Sequence, residues 1–210
     1  MMPARDALVR LQEGNRRFVA DLRARSAVAA PMRRSELVAG QEPFAIVLGC
    51  SDSRVPAETV FDQGLGDLFV IRVAGNIVAP SQIGSVEFAA ERFGTRLVVV
   101  LGHTLCGAVL ATLEELERPT ERRSPNLRSI TDRIQPAVEA LLEGERPEEP
   151  GALVRQAIRA NIHASANQLR HGSRILEELI ASDRLLIAAA EYSLETGVVE
   201  WLDSLPPAGV

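Results

Sequence analysis

FAIVLGCSDSR, residues 44–54, is the stretch that decides how the chain is read. Phe44 to Gly49 is an unbroken apolar run that stops at Gly49-Cys50. A strand with one wet face alternates apolar and polar residues. A strand covered on both faces does not, and such strands belong to parallel sheets. LFVIRV (Leu68–Val73), RLVVVLGH (Arg96–His103) and RLLIAAAEYSL (Arg184–Leu194) repeat the pattern. Helical patterns lie between them. Pro80–Phe93 places Ile83, Val86, Ala90 and Phe93 on one face, and Pro80 suits a first helical turn. Leu105–Leu116, Leu127–Leu142, Leu153 to about Arg170, and Arg174–Ala181 also read as helices. Glu195-Thr196-Gly197 is a turn, and VVEWL (Val198–Leu202) returns from it as an antiparallel fifth strand. Alternating strands and helices predict an α/β fold with a mostly parallel sheet.

Outward from that core, Ala4 to about Arg25 carries Leu8, Leu11, Phe18 and Val19 on one face of a predicted helix. Ser26–Glu42 reads as irregular around a short helical piece, and the Pro206–Gly209 tail as loose. With 210 residues, no repeat and no linker, one domain is expected over 1–210, with an N-terminal helical arm at 1–43 and an α/β core at 44–205. The net charge of −5 and the lack of a basic run exclude a nucleic-acid partner. Apolar residues reach 46%, yet no apolar run has the length of a membrane span, and the start lacks an export signal. A soluble, cytoplasmic protein is expected.

The two cysteines of the chain are Cys50 and Cys106. They could pair, but in a chain without export signals a metal or catalytic role is the better expectation. Cys50 ends the first strand; His103 and Cys106 follow the third, in GHTLCG. In open parallel sheets, sites form at the carboxyl ends of the strands. Two thiolates and an imidazole make a zinc set with a fourth position open or filled by a carboxylate. A lone buried cysteine is usually a small hydrophobe, and a lone histidine usually a bonded core residue. The convergence of all three at one edge favours the metal. His163 and His171 read as surface residues. Asp52 lies two positions from Cys50, with Arg54 close enough to pair with it. This is either a turn aspartate beside a surface arginine or a switchable carboxylate, closing the fourth position or held away by Arg54 to orient a water.

These motifs resemble the β-class carbonic anhydrases. EGNRRF (Glu13–Phe18), CSDSRVPAE (Cys50–Glu58), GDLFVIRVAGN (Gly66–Asn76), GSVEFA (Gly84–Ala89) and GHTLCGAV (Gly102–Val109) match in order, and EYSLETGVVEWL (Glu191–Leu202) more loosely. The resemblance implies zinc on Cys50, His103 and Cys106, an Asp52–Arg54 catalytic dyad with Asp52 as fourth ligand in a closed state, and four parallel strands with an antiparallel fifth. It implies reversible hydration of carbon dioxide to bicarbonate and a proton by zinc-bound hydroxide. It also implies a homodimer or dimer of dimers whose N-terminal helices embrace the partner, which would explain an apolar face on a helix apart from the core. Gln41 is placed like a substrate-binding glutamine of one branch, or is a polar loop residue, and Phe69 and Phe88 fall like that branch's pocket residues, or are plain core. Gly107 is a candidate N–H donor to substrate oxygen, since a residue without a side chain admits close approach. An inhibitory bicarbonate pocket known in some members would use Arg72 and Tyr192, but its tryptophan is Val47 here, so that inhibition is expected to be weak or absent. The competing readings are a carbonyl sulfide or carbon disulfide hydrolase on the same scaffold, a non-catalytic zinc or bicarbonate-binding protein, and a thiol redox protein.

Overall fold

The computed structural model describes residues 1–22, 35–118, 124–144 and 149–203. Its five strands are β1 (Ala45–Gly49), β2 (Leu68–Arg72), β3 (Leu97–His103), β4 (Leu186–Tyr192) and β5 (Val199–Trp201). Their order is β2-β1-β3-β4-β5, parallel throughout except for the antiparallel β4–β5 hairpin. The six longer helices are α1 (Ala4–Val19), α2 (Pro80–Arg92), α3 (Gly107–Glu117), α4 (Pro125–Glu143), α5 (Ala152–His171) and α6 (Arg174–Ala181). The predicted mixed sheet, with its antiparallel fifth strand and flanking helices, is the one observed.

Every residue of β1 and β3 is buried, which is why their sequences run apolar without alternation. Successive side chains still point to opposite faces. Ile46, Leu48, Val98 and Val100 meet the buried faces of helices α2 to α6. Ala45, Val47, Leu97, Val99 and Leu101 face a smaller cluster that holds Leu8 and Leu11 of α1, Phe61 and Tyr192.

That second cluster corrects one expectation. Helix α1 is not set apart from the core: Ala7 and Leu11 are fully buried against the chain's own sheet. Asn15 fastens the helix there. Its Nδ2 donates to the carbonyls of Val60 and Gly197 at 3.1 and 2.9 Å, and its Oδ1 accepts the Val199 N–H at 2.9 Å. Arg17 pairs with Asp62 at 2.6 Å and Arg10 with Asp67 at 3.1 Å. At Gly14 the helix backbone lies so close that a Cβ would sit 1.8 Å from the Phe61 carbonyl oxygen. The helix also ends earlier than expected, at Val19. Asp21 takes a left-handed φ of 54°, and the Leu22 N–H turns back to the Arg17 carbonyl at 2.8 Å. The rest of the predicted helix, 23–25, and the Pro206–Gly209 tail lie outside the described residues.

A second shift bears on function. The helix expected from Leu105 begins at Gly107, because Leu105 has a left-handed φ of 56° and Cys106 is the N-cap. The positive end of α3 therefore points at Cys106. Among the described residues, no helix is long and apolar enough to cross a membrane.

Candidate metal centre and active site

The chain leaves β1 toward β2 on one side and returns through β3 on the other. The crevice where strand order reverses therefore opens at the carboxyl ends of β1 and β3, where open α/β sheets bind ligands. Gly49 and Leu101 are in register, so Cys50 and His103 leave the same edge of the sheet one position apart. Their donor atoms and the Cys106 Sγ all lie within 4.8 Å of one another. The two sulfurs are 4.0 Å apart. Two thiolates on one tetrahedral zinc, each at about 2.3 Å, would stand about 3.8 Å apart.

The histidine is oriented for the same purpose. Its Nδ1 lies 2.9 Å from the Thr104 carbonyl oxygen, so the ring proton belongs on Nδ1 and Nε2 is left as a lone-pair donor. That Nε2 is fully buried and has no hydrogen-bond partner among the described residues. A buried acceptor without a partner is costly unless something binds it. Soft sulfur with one imidazole suits zinc and not the oxygen-seeking magnesium or calcium. The residues present therefore fit a zinc ion.

Without a metal the two thiols form an unequal pair. The hydrogen bond with Cys106 holds the Cys50 thiol down to about 4, while the same bond pushes Cys106 up. The two sulfurs thus share one hydrogen bond, whose donor can be either atom. The Gly75 N–H also donates to Cys50 Sγ, at 3.3 Å.

Asp52 stands beside the donors, with its Oδ2 3.9 Å from His103 Nε2. Arg54 grips both carboxylate oxygens, Nε to Oδ1 at 2.9 Å and Nη2 to Oδ2 at 2.7 Å, and its backbone N–H adds a third bond at 3.0 Å. This guanidinium holds Asp52 well below the usual carboxylate range. The pair adopts the arrangement in which the carboxylate is held by arginine.

Arg72 has a place that its sequence position did not reveal. Its Nε donates to the Cys50 carbonyl at 2.9 Å and its Nη2 to the Asp52 carbonyl at 2.6 Å. One rigid fork thus fixes the loop that carries a thiolate and the carboxylate. A side chain that bonds backbone carbonyls leaves no pattern in the sequence of the loop it holds.

The remaining candidates divide. Gly107 is the exposed first residue of α3, its N–H has no acceptor within the helix, and open space lies where a Cβ would be. Gln41 is exposed in the loop before β1, at the opposite end of that strand from Cys50. Phe44 to Cys50 alone spans about 20 Å of extended chain, so Gln41 does not reach the centre of its own chain. Phe69 and Phe88 stack with Phe93 in an aromatic cluster beside the edge strand β2, and Phe88 is 54% exposed. Tyr192 packs its ring toward Phe18 at 6.4 Å between centroids. His171 is exposed, and His163 is half-buried near Asp203.

The carbonic anhydrase family model matches residues 45–199. Carbonic anhydrase 2 of Mycobacterium tuberculosis is 38% identical over 187 residues, 89% of this chain and 87% of that protein. A carbonic anhydrase of Mycolicibacterium smegmatis is 37% identical over 199 residues, 95% of this chain and 93% of that protein. Among solved structures, the β-carbonic anhydrase CafA of Aspergillus fumigatus superposes with a TM-score of 0.72 at 28% identity, covering 84% of this chain and 83% of that one. A tetrameric β-carbonic anhydrase of Sordaria macrospora gives 0.68 at 25% identity, covering 82% and 86%. With the sheet, the Cys–His–Cys cluster and the extent of these matches in agreement, the chain belongs to the β-class carbonic anhydrase family.

Proposed function

We propose that this enzyme catalyses the reversible hydration of carbon dioxide to bicarbonate and a proton, at a zinc ion held by Cys50, His103 and Cys106. The observation that carries the reading is the Arg54-held Asp52 carboxylate, 3.9 Å from an unpartnered, buried His103 Nε2. When bound, zinc supplies a Lewis acid that acidifies water toward neutral pH.

The chain's own residues do the rest. Cys50, His103 and Cys106 would hold the zinc through two thiolates and an imidazole. Because Arg54 satisfies Asp52, the carboxylate stays ionised and would accept a hydrogen bond from a water beside the three ligands, aiming that water's lone pair at substrate carbon. The Gly107 N–H, at the positive end of α3, donates to the substrate oxygen on which charge develops. If Asp52 left Arg54 it could occupy the fourth position and close the site.

Gln41 would contact substrate only as part of a second copy of the chain. A homodimer or dimer of dimers fits this, and the Sordaria macrospora relative is tetrameric. Two buried, free cysteines suit the reducing cytoplasm. We keep the reading of one domain over 1–210, with an N-terminal helical arm at 1–43 and an α/β core at 44–205; the packing of Leu8 and Leu11 against the sheet supports it.

Stopped-flow hydration of carbon dioxide on metal-assayed protein, from about pH 6.5 to 9 around the acidified-water range, tests the proposal. One zinc per chain with activity lost in Asp52→Ala is expected. One zinc with no carbon dioxide turnover at any of these pH values would overturn it, and turnover of carbonyl sulfide or carbon disulfide by that same protein would assign the site to those substrates.

A further inference from the structure

Cys50 takes a hydrogen bond from a segment far from its own loop, and that segment is held in turn by a helix side chain. Gly75 donates its N–H to Cys50 Sγ at 3.3 Å, while its carbonyl accepts from Asn161 Nδ2 of α5 at 2.8 Å. Gly75 sits at φ 69° and ψ 19°. A Cβ there would meet Ile134 Cδ1 at 2.9 Å and Ala108 Cβ at 3.0 Å, so both the turn and the packing demand glycine. Glycine permits this conformation without enforcing it. Something else must hold the N–H on the sulfur, and the bond to the Gly75 carbonyl is the one that restrains the residue from its other side.

Asn161 is only 2% exposed and lies between Ile158 and Ile162 in the main apolar cluster. A buried amide costs free energy that an apolar residue would avoid. Its bond to Gly75 offsets that cost and spans 86 positions of sequence. An N–H directed at a thiolate withdraws charge from the sulfur, so the ligand donates less to its metal. Two thiolates otherwise oppose acidification of a bound water, and this bond acts against that handicap on one of them.

We infer that Asn161 is a positioning residue of the metal centre, which through the Gly75 carbonyl keeps the Gly75 N–H on Cys50 Sγ. The inference rests on the metal reading given above. It differs from a purely structural amide in one respect: its loss should change the metal–sulfur bond itself.

The test compares Asn161→Leu and Asn161→Ser with the unchanged protein after loading each with cobalt(II) or zinc. In variants with unchanged far-ultraviolet circular dichroism, the thiolate-to-cobalt absorption is expected to move to lower energy. Zinc should pass to a chelator about 10- to 100-fold faster, because a sulfur no longer held in place by the Gly75 N–H loses more in positioning than it gains in donation. A folded variant with the same absorption and the same zinc release overturns the inference. If neither variant folds, the unchanged protein decides. Loaded with cadmium-113, it should show coupling between the metal and the Gly75 amide proton, with slow exchange of both that proton and the Asn161 side-chain amide. Absence of the coupling or rapid exchange of the Asn161 amide overturns the inference. An unchanged protein that takes up none of these metals overturns the metal reading, and this one with it.

Discussion

Arg54 holds Asp52 by two parallel bonds, 2.9 and 2.7 Å, and so decides which partner the carboxylate has. The two residues are partly exposed, so the pair contributes little to stability. Its consequence is geometric. Arg54→Gln keeps a donor but loses the fork and the charge. We expect kcat/KM to fall about 10- to 100-fold, as for loss of an outer-shell orienting group, with folding and zinc content unchanged. Steady-state hydration kinetics with metal analysis of the same sample check this, and full activity in the glutamine variant would remove Arg54 from the mechanism.

The pH dependence has a definite sign. Arg54 lowers the Asp52 pKa below its unfolded value of about 3.9. The stabilisation of the ionised carboxylate is therefore present above that value and is lost only as pH falls through the lower, folded one. Between about pH 6 and 9, where bound water titrates, Asp52 stays ionised and contributes no limb to the activity profile. In Arg54→Gln, any carboxylate step in activity should appear at a higher pH than in the unchanged protein. A step in the opposite direction would contradict the assignment of cause.

The strands were legible because burial on both faces leaves a continuous apolar run, as in Phe44–Gly49 and Leu97–His103. The candidate ligands were legible because chemistry needs particular residue types, and cysteine and histidine are rare in this chain, with two and three residues. What stayed hidden is held through backbone. Arg72 bonds two carbonyls, and Asn161 bonds a third; a carbonyl is present at every residue and marks none. The start of α3 was misplaced because the left-handed turn falls on Leu105, a residue that rarely adopts it. The packing of α1 on its own sheet was missed because an apolar helical face says that something covers it, not which surface does.

Arg72 carries its own prediction. Arg72→Lys keeps a positive charge but cannot reach both carbonyls with a planar fork. The residue is exposed, so the fold should survive with little change in Tm. The loop bearing Cys50 and Asp52 should loosen, with roughly a tenfold or greater loss in zinc affinity. A chelator competition assay measures it, and retention of wild-type affinity would show that the two carbonyls need no clamp.

Metal removal should destabilise the chain as well as silence it. A ligand bound only by the folded state adds stability by mass action, about 4 kcal/mol at a thousandfold excess over its Kd. Here it would also partner the orphaned His103 Nε2 and bridge the two sulfurs. Calorimetry before and after chelation should show a lower Tm for the stripped protein and recovery on adding zinc. Cys106→Ser should begin near the stripped value and gain little from zinc. Equal Tm values in all three states would count against a metal at this centre.

Gly14→Ala separates helix propensity from packing. In an exposed helix the change would stabilise by about 1 kcal/mol, since alanine loses less backbone entropy than glycine. On α1 the new Cβ would fall 1.8 Å from the Phe61 carbonyl oxygen and near the Gln63 side chain. Backbone cannot move aside as a flexible side chain can, so the helix itself must lift. Lifting it strains the bonds of Asn15 to Val60, Gly197 and Val199 and opens the cluster around Leu11. Overpacking of this kind typically costs about 1–3 kcal/mol, enough to outweigh the gain in propensity. Thermal or denaturant unfolding should therefore show a less stable variant. A variant more stable than the parent would mean that α1 does not rest on its own chain's sheet at Gly14.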